Sequence, residues 1–153
     1  MTITELLSPP LVIADLKATT KADVLAELTD ALVAHDPTLH REQIIQVLVE
    51  REKLGSTGIG DGVAIPHGKL KGLPSLMLSF GRSREGVNFD SMDGKPAHLF
   101  FLLVAPEESV GIHLKALARI SKLLKDSVVR RKLVDAGDAE AICQLISDEE
   151  SRL

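Results

Sequence analysis

The chain has 153 residues, within the range of about 100–200 residues usual for one domain, and is expected to form one domain over 1–153. It is 44% apolar and 26% charged with a formal charge of −4, which fits a folded globule and argues against nucleic-acid binding, where a basic surplus displaces counterions. One cysteine, Cys143, excludes an internal disulfide framework and a Cys-rich zinc site and suits a reducing compartment, while 3% aromatic content, four Phe with no Trp or Tyr, makes base or sugar stacking a poor expectation.

In chain order, Leu11-Val12-Ile13 is a short β-like run after Pro9-Pro10. Thr20 opens a helix to about Ala34, with Asp23 three residues on in the manner of a capping box, and Asp36-Pro37-Thr38 ends it. A second helix is predicted from about His40 to Leu54, followed by the Gly-rich stretch Gly55-Ser56-Thr57-Gly58-Ile59-Gly60-Asp61-Gly62. Val63-Ala64-Ile65 reads as a strand ending at Pro66-His67-Gly68, with His67 in a loop. Ser75 to Phe80 and His98 to Val104 are further strands, the second apolar almost throughout and therefore central, with a turn at Asp93-Gly94. Three helices, over 110–125, 127–136 and 138–148, close the chain, with Gly137 as a stop. No apolar run approaches the roughly 18 residues of a membrane span, and Met1-Thr2-Ile3-Thr4-Glu5 lacks the basic start of a secretory signal. A cytoplasmic α/β protein with an aliphatic core is expected, without membrane insertion.

Two polar residues fall on apolar helix faces. Arg51 is seven residues after Ile44 and three after Leu48, inside the stripe, while Glu50 and Lys53 fall outside. It caps the helix C-terminus, reaches an anion at the following loop, or does both. His113 lies four before Leu117 and seven before Ile120 and so points inward, while Lys115, Arg119 and Lys122 face out. It is either a core histidine or a group beside an anion, which a helix N-terminus favours.

Five glycines between Gly55 and Gly68 permit close backbone approach, and successive N–H groups in such a segment can form an anion nest. The candidate phosphate ligands are Gly58, Gly60 and the hydroxyls of Ser56 and Thr57; the bland alternative is a flexible connector. His67 follows at once, and a neutral imidazole beside such a nest suggests phosphoryl acceptance. The segment is not a Walker A loop, because no Gly-Lys-Ser/Thr follows. A third Gly of the dinucleotide fingerprint is missing too, and neither Gly-x-Ser-x-Gly nor His-Glu-x-x-His occurs. His35, His40 and His98 have no ligand-like spacing, and no metal site is expected.

The run from Arg51 to Leu70, Arg51-Glu52-Lys53-Leu54-Gly55-Ser56-Thr57-Gly58-Ile59-Gly60-Asp61-Gly62-Val63-Ala64-Ile65-Pro66-His67-Gly68-Lys69-Leu70, resembles the signature of the IIA components of the fructose/mannitol and nitrogen branches of the phosphoenolpyruvate-dependent phosphotransferase system. His113-Leu114-Lys115-Ala116-Leu117-Ala118-Arg119 resembles the family's second-histidine helix, and the likeness spans roughly 7–148. The Gly-Ser-Thr-Gly-Ile-Gly loop and the expectation of no attached IIB or IIC segment point to the nitrogen type. Asp61 and Val63 depart from the family's usual residues, and Asp61 is given no role. The resemblance implies a mixed, mostly central β-sheet with helices on both faces. It implies that His67 accepts a phosphoryl group, on Nε2, from a phosphohistidine of an HPr-like carrier, with His113 and Arg51 lining the site and no cofactor. It leaves open a sugar-specific protein passing phosphate to a IIB domain, and a regulatory module whose phosphorylation gates protein targets without onward transfer.

Overall fold

The computed structural model describes residues 2–109 and 111–153. Six strands form one mixed sheet, β1 (Val12–Ile13), β2 (Gly58–Gly60), β3 (Val63–Ala64), β4 (His67–Leu70), β5 (Met77–Val87) and β6 (Ala97–Pro106). Its order is β1-β5-β6-β3-β2, with β4 also on β6. β6 is central, antiparallel to β5 and parallel to β3 at its start and β4 at its end. Its near-continuous apolar run is explained by burial on both sides. Leu99, Phe101, Leu103 and Ala105 join one core cluster, and Phe100, Leu102 and Val104 join the other. The four Phe are shared between the two, Phe80 on Phe101 with ring centroids 4.8 Å apart and Phe89 on Phe100 at 5.5 Å.

Helices cover both faces, as expected. On the first face lie α1 (Ile3–Leu6), α4 (Ile112–Leu124), α5 (Ser127–Asp135) and α6 (Ala139–Glu150); on the second lie α2 (Lys21–His35) and α3 (Arg41–Lys53). Side-chain oxygens start four of them, because the first N–H groups of a helix have no partner within it. Thr20 accepts from the Asp23 N–H at 3.2 Å, Asp126 from Val128 at 2.8 Å and Asp138 from Ala141 at 2.8 Å. In α1, Thr2 and Glu5 complete a reciprocal capping box. α1 is pinned from outside as well: the buried Glu150 carboxylate accepts from the Ile3 and Thr4 N–H groups at 2.7 and 2.9 Å and from Arg119 Nε at 2.5 Å. Among the described residues, no helix is long and apolar enough to cross a membrane.

The structure corrects several local expectations. β5 runs to Val87, beyond the predicted end at Phe80, because its pairing with β6 continues through Arg82–Leu99 to Val87–Ala97, and Arg82 is fully buried within it. The Arg82 guanidinium replaces water with carbonyl oxygens, donating to Ala14 at 2.9 Å, Leu133 at 3.1 Å and Gly137 at 2.9 Å. Gly137 accepts from Arg82 and does not adopt the left-handed stop conformation. The helix predicted from 110 begins at Ile112, and residue 110 lies outside the described residues. α1, β2 and β4 had no sequence expectation.

Candidate functional site

The strand pairings place His67. Val63 pairs with Leu99 and Ala64 with Phe100, then His67 pairs with Leu103, so β3 and β4 follow the same register along β6. Between them Pro66 lacks an N–H and interrupts the ladder, while its carbonyl accepts from Leu103 N–H at 2.9 Å. His67 therefore begins an edge strand, which corrects the loop assignment. It shares a face with Leu103, the face that α4 covers. Gly68 points the other way, and a Cβ there would lie 2.5 Å from Val47 Cγ1 of α3. Only glycine allows α3 to lie this close to β4.

A cavity of about 510 Å³ wraps this edge, with His67 in its wall. Arg51 enters from the end of α3 and His113 from the first turn of α4. The structure thus brings together three residues that sequence reading singled out on separate grounds. Arg51 also donates through Nη1 to the Gly55 carbonyl at 2.8 Å, so it both caps its helix and borders the cavity. His113 Nδ1 is buried and has no hydrogen-bond partner in the protein among the described residues.

His67 Nδ1 lies 2.7 Å from the Ile65 carbonyl oxygen. A carbonyl only accepts, so Nδ1 carries the proton and Nε2 is the bare nitrogen. Burial pushes the imidazole below its ordinary range; the bond to Ile65 opposes this, the Arg51 charge adds to it, Glu52 opposes it and His113 adds to it. The site holds a neutral imidazole with a defined tautomer.

Ser56, Thr57, Gly58 and Gly60 do not line this cavity. Their polar groups are committed elsewhere: Ser56 Oγ donates to the Phe89 carbonyl at 2.6 Å and accepts from Gly58 N–H at 3.0 Å. Thr57 gives its N–H to Glu52 at 3.1 Å and its hydroxyl to the same carboxylate. Gly58 and Gly60 form β2, paired antiparallel with β3. Asp61 and Gly62, with φ of 57° and 78°, make the two-residue hairpin turn between them. That explains Asp61, since aspartate tolerates the left-handed conformation. Close approach also applies at Gly58, whose Cβ would lie 2.4 Å from Ser91 Oγ.

Three lining residues escaped the sequence reading. Lys69 lies two residues after His67 on the same strand face, a relation hidden while His67 was taken for a loop residue. Glu50 also borders the cavity although it falls outside the apolar stripe of α3. Leu54 is 85% exposed and forms an apolar rim. Behind the cavity, Glu52 accepts from Lys21 Nζ at 2.8 Å as well as from Thr57. A carboxylate in the last turn opposes the helix dipole, and that was the available signal for it.

Residues 5–149 match the family described as phosphoenolpyruvate-dependent sugar phosphotransferase system, EIIA 2. The chain is 44% identical over 147 residues to the nitrogen regulatory protein of Bradyrhizobium diazoefficiens, covering 96% of this chain and 95% of that one. It is 36% identical over 150 residues to the fructose-specific EIIABC component of Bacillus subtilis, covering 98% of this chain and 24% of that one. The crystal structure of nitrogen regulatory protein IIA-Ntr from Neisseria meningitidis superimposes with a TM-score of 0.88 at 35% identity, over 94% of this chain and 98% of that one. With sequence and fold in agreement over nearly the full chain, the protein belongs to the EIIA 2 family of the phosphoenolpyruvate-dependent sugar phosphotransferase system.

Proposed function

We propose that the protein is a phosphocarrier that takes one phosphoryl group from a phosphohistidine on a small HPr-like donor onto Nε2 of His67. The observation that supports this most directly is the tethered Nδ1–H, which leaves Nε2 unprotonated in a cavity that also contains Arg51 and His113. A new N–P bond forms at Nε2 as the donor's N–P bond breaks, and the electron pair returns to the donor imidazole. The attacking nitrogen carries no proton, so no base is needed. One N–P bond replaces another, so the demand on the protein is positioning and charge stabilisation. Arg51, Lys69 and His113 hold the phosphoryl oxygens. Ser56, Thr57, Gly58 and Gly60 act indirectly, bracing the segment next to Gly55, to which Arg51 is bonded. The exposed Leu54 gives the donor an apolar contact at the rim.

The likeness to nitrogen regulatory proteins over nearly their whole length supports a regulatory role in the nitrogen branch, exerted on protein targets in the cytoplasm. The match to a fructose-specific component supports a second reading, onward transfer to a IIB domain. Mixing the protein with phosphoenolpyruvate, enzyme I and an HPr-type protein should add one acid-labile, base-stable phosphoryl group to the peptide containing His67. Absence of that mass shift overturns the proposal. Transfer from the phosphoprotein to a fructose-type IIB would favour the sugar reading, and its absence the regulatory one.

A further inference from the structure

Across α4 from His113 lies a surface that phosphoryl chemistry leaves unused. Lys115, Arg119 and Lys122 fall within roughly 60° of arc on the side away from His113, since a helix turns about 100° per residue. They line a groove of about 750 Å³, larger than the cavity at His67. Pro74, Leu76, Ile112 and Ala118 give it apolar walls, and Ser75 adds a hydroxyl. In a chain of net charge −4, α4 contains no acidic residue. Arg119 is held by the buried Glu150. Lys115 and Lys122 are exposed and form no ion pair among the described residues.

We propose that this groove docks an acidic amphipathic segment of a protein partner. Carboxylates of the segment lie over Lys115 and Lys122, and an apolar side chain seats against Leu76, Ile112 and Ala118. Charge complementarity selects the acidic partner, and apolar walls beside charged groups match the composition of a protein interface. An anionic membrane is a poorer match, because basic clusters that bind such lipids contain about four to eight Lys or Arg on a surface free to lie flat. Here one of three cations already holds Glu150, and the surface is concave. This inference does not depend on the chemistry at His67.

The test uses the isotope-labelled full-length protein and three probes. These are a synthetic helical peptide with leucines at i and i+4 and glutamates between, its glutamine counterpart, and phosphatidylserine vesicles. The glutamate peptide should shift amide resonances of 75–76 and 112–122, and bind about tenfold more tightly than the glutamine peptide, a difference of about 1.4 kcal/mol. K115E/K122E should lose at least that factor and K115Q/K122Q a smaller one, while K17E, on another surface, retains wild-type affinity. Lys115 and Lys122 are exposed, and unchanged spectra of both double variants without peptide would show that folding is intact. The proposal is overturned if the glutamate peptide does not bind, if the two peptides bind equally, or if neither double variant weakens binding. Shifts confined to another surface, or preference for vesicles over peptide, overturn it too.

Discussion

The His67 Nδ1–H donates to the carbonyl of Ile65, two residues earlier in the chain, at 2.7 Å. In the proposed transfer, this local bond decides which ring nitrogen is free to react. Phosphorylated protein should therefore carry phosphorus on Nε2, read from the nitrogen and phosphorus NMR shifts of the labelled imidazole. H67A should take up no phosphate. Phosphorus found on Nδ1 would show that the bond to Ile65 breaks before transfer.

The pH profile should follow the same imidazole. Burial lowers its pKa, so the neutral form persists below the ordinary histidine range of about 6.5. Phosphoryl uptake should stay level as pH falls through that value and decline only at the depressed pKa. Stability has the matching sign. Below about pH 6.5 the unfolded chain binds a proton that folded His67 resists, so this residue costs stability as the medium acidifies. R51A removes a like charge and should move the fall in rate to higher pH.

Arg51 and His113 should separate in their effects. R51A loses the bond to Gly55 and, on the proposed function, a hydrogen-bond donor to the phosphoryl oxygens, with an expected rate loss of about a hundredfold and about 0.5–1.5 kcal/mol of stability. R51K keeps the charge but not the fork, and should recover only part of the rate. H113A removes an imidazole whose Nδ1 has no partner among the described residues, so single-turnover transfer should slow while the urea midpoint changes little. Equal transfer by H113A and wild type would place His113 among the packing residues.

At Gly68, α3 lies too close to β4 for a Cβ to fit without moving Val47. G68A drives a methyl group into Val47 Cγ1 and should cost about 1–3 kcal/mol, with slower phosphoryl uptake because His67 is its neighbour. The double variant V47A/G68A opens the required space. Denaturation of the two single variants and the double should reveal strong positive coupling; additive losses would show that the close approach is not the cause.

Acid sensitivity should also arise far from the site. Burial pushes the Glu150 carboxyl up, but the Thr4 hydroxyl, Arg119 and the N–H groups of Ile3 and Thr4 outweigh it and hold the pKa below its ordinary value. The stabilisation is complete above the unfolded value of about 4.3 and is lost as pH falls through the lower folded value. E150Q should unfold more readily than wild type at neutral pH, with the difference shrinking in acid. Thermal melts across that range provide the measurement.

The sequence made the site's three central residues visible because each broke a pattern. Arg51 and His113 sit on apolar helix faces, and His67 lies just before the last glycine of a Gly-rich segment. β6 was legible for a related reason, its apolar length marking burial on both faces. The Gly-rich segment was harder to read, since glycine serves an anion nest, a hairpin and a close crossing equally well. Asp61-Gly62 was the local hairpin signal, and it placed β2 against β3. Lys69 was hidden by a period-two relation that exists only once His67 belongs to a strand. Arg82 was hidden because nothing in Arg82-Ser83-Arg84-Glu85 announces a buried cation whose partners lie in other parts of the chain.

The shared register of β3 and β4 makes the stretch from Val63 to His67 a spacer of fixed length. Side chains alternate along a strand, so removing or adding one residue in that stretch would turn the imidazole toward α3, away from α4. Homologous swaps of single side chains can be absorbed there, whereas a change in chain length cannot. For anyone redesigning this protein, the counting of residues before His67 is a stricter constraint than their identity.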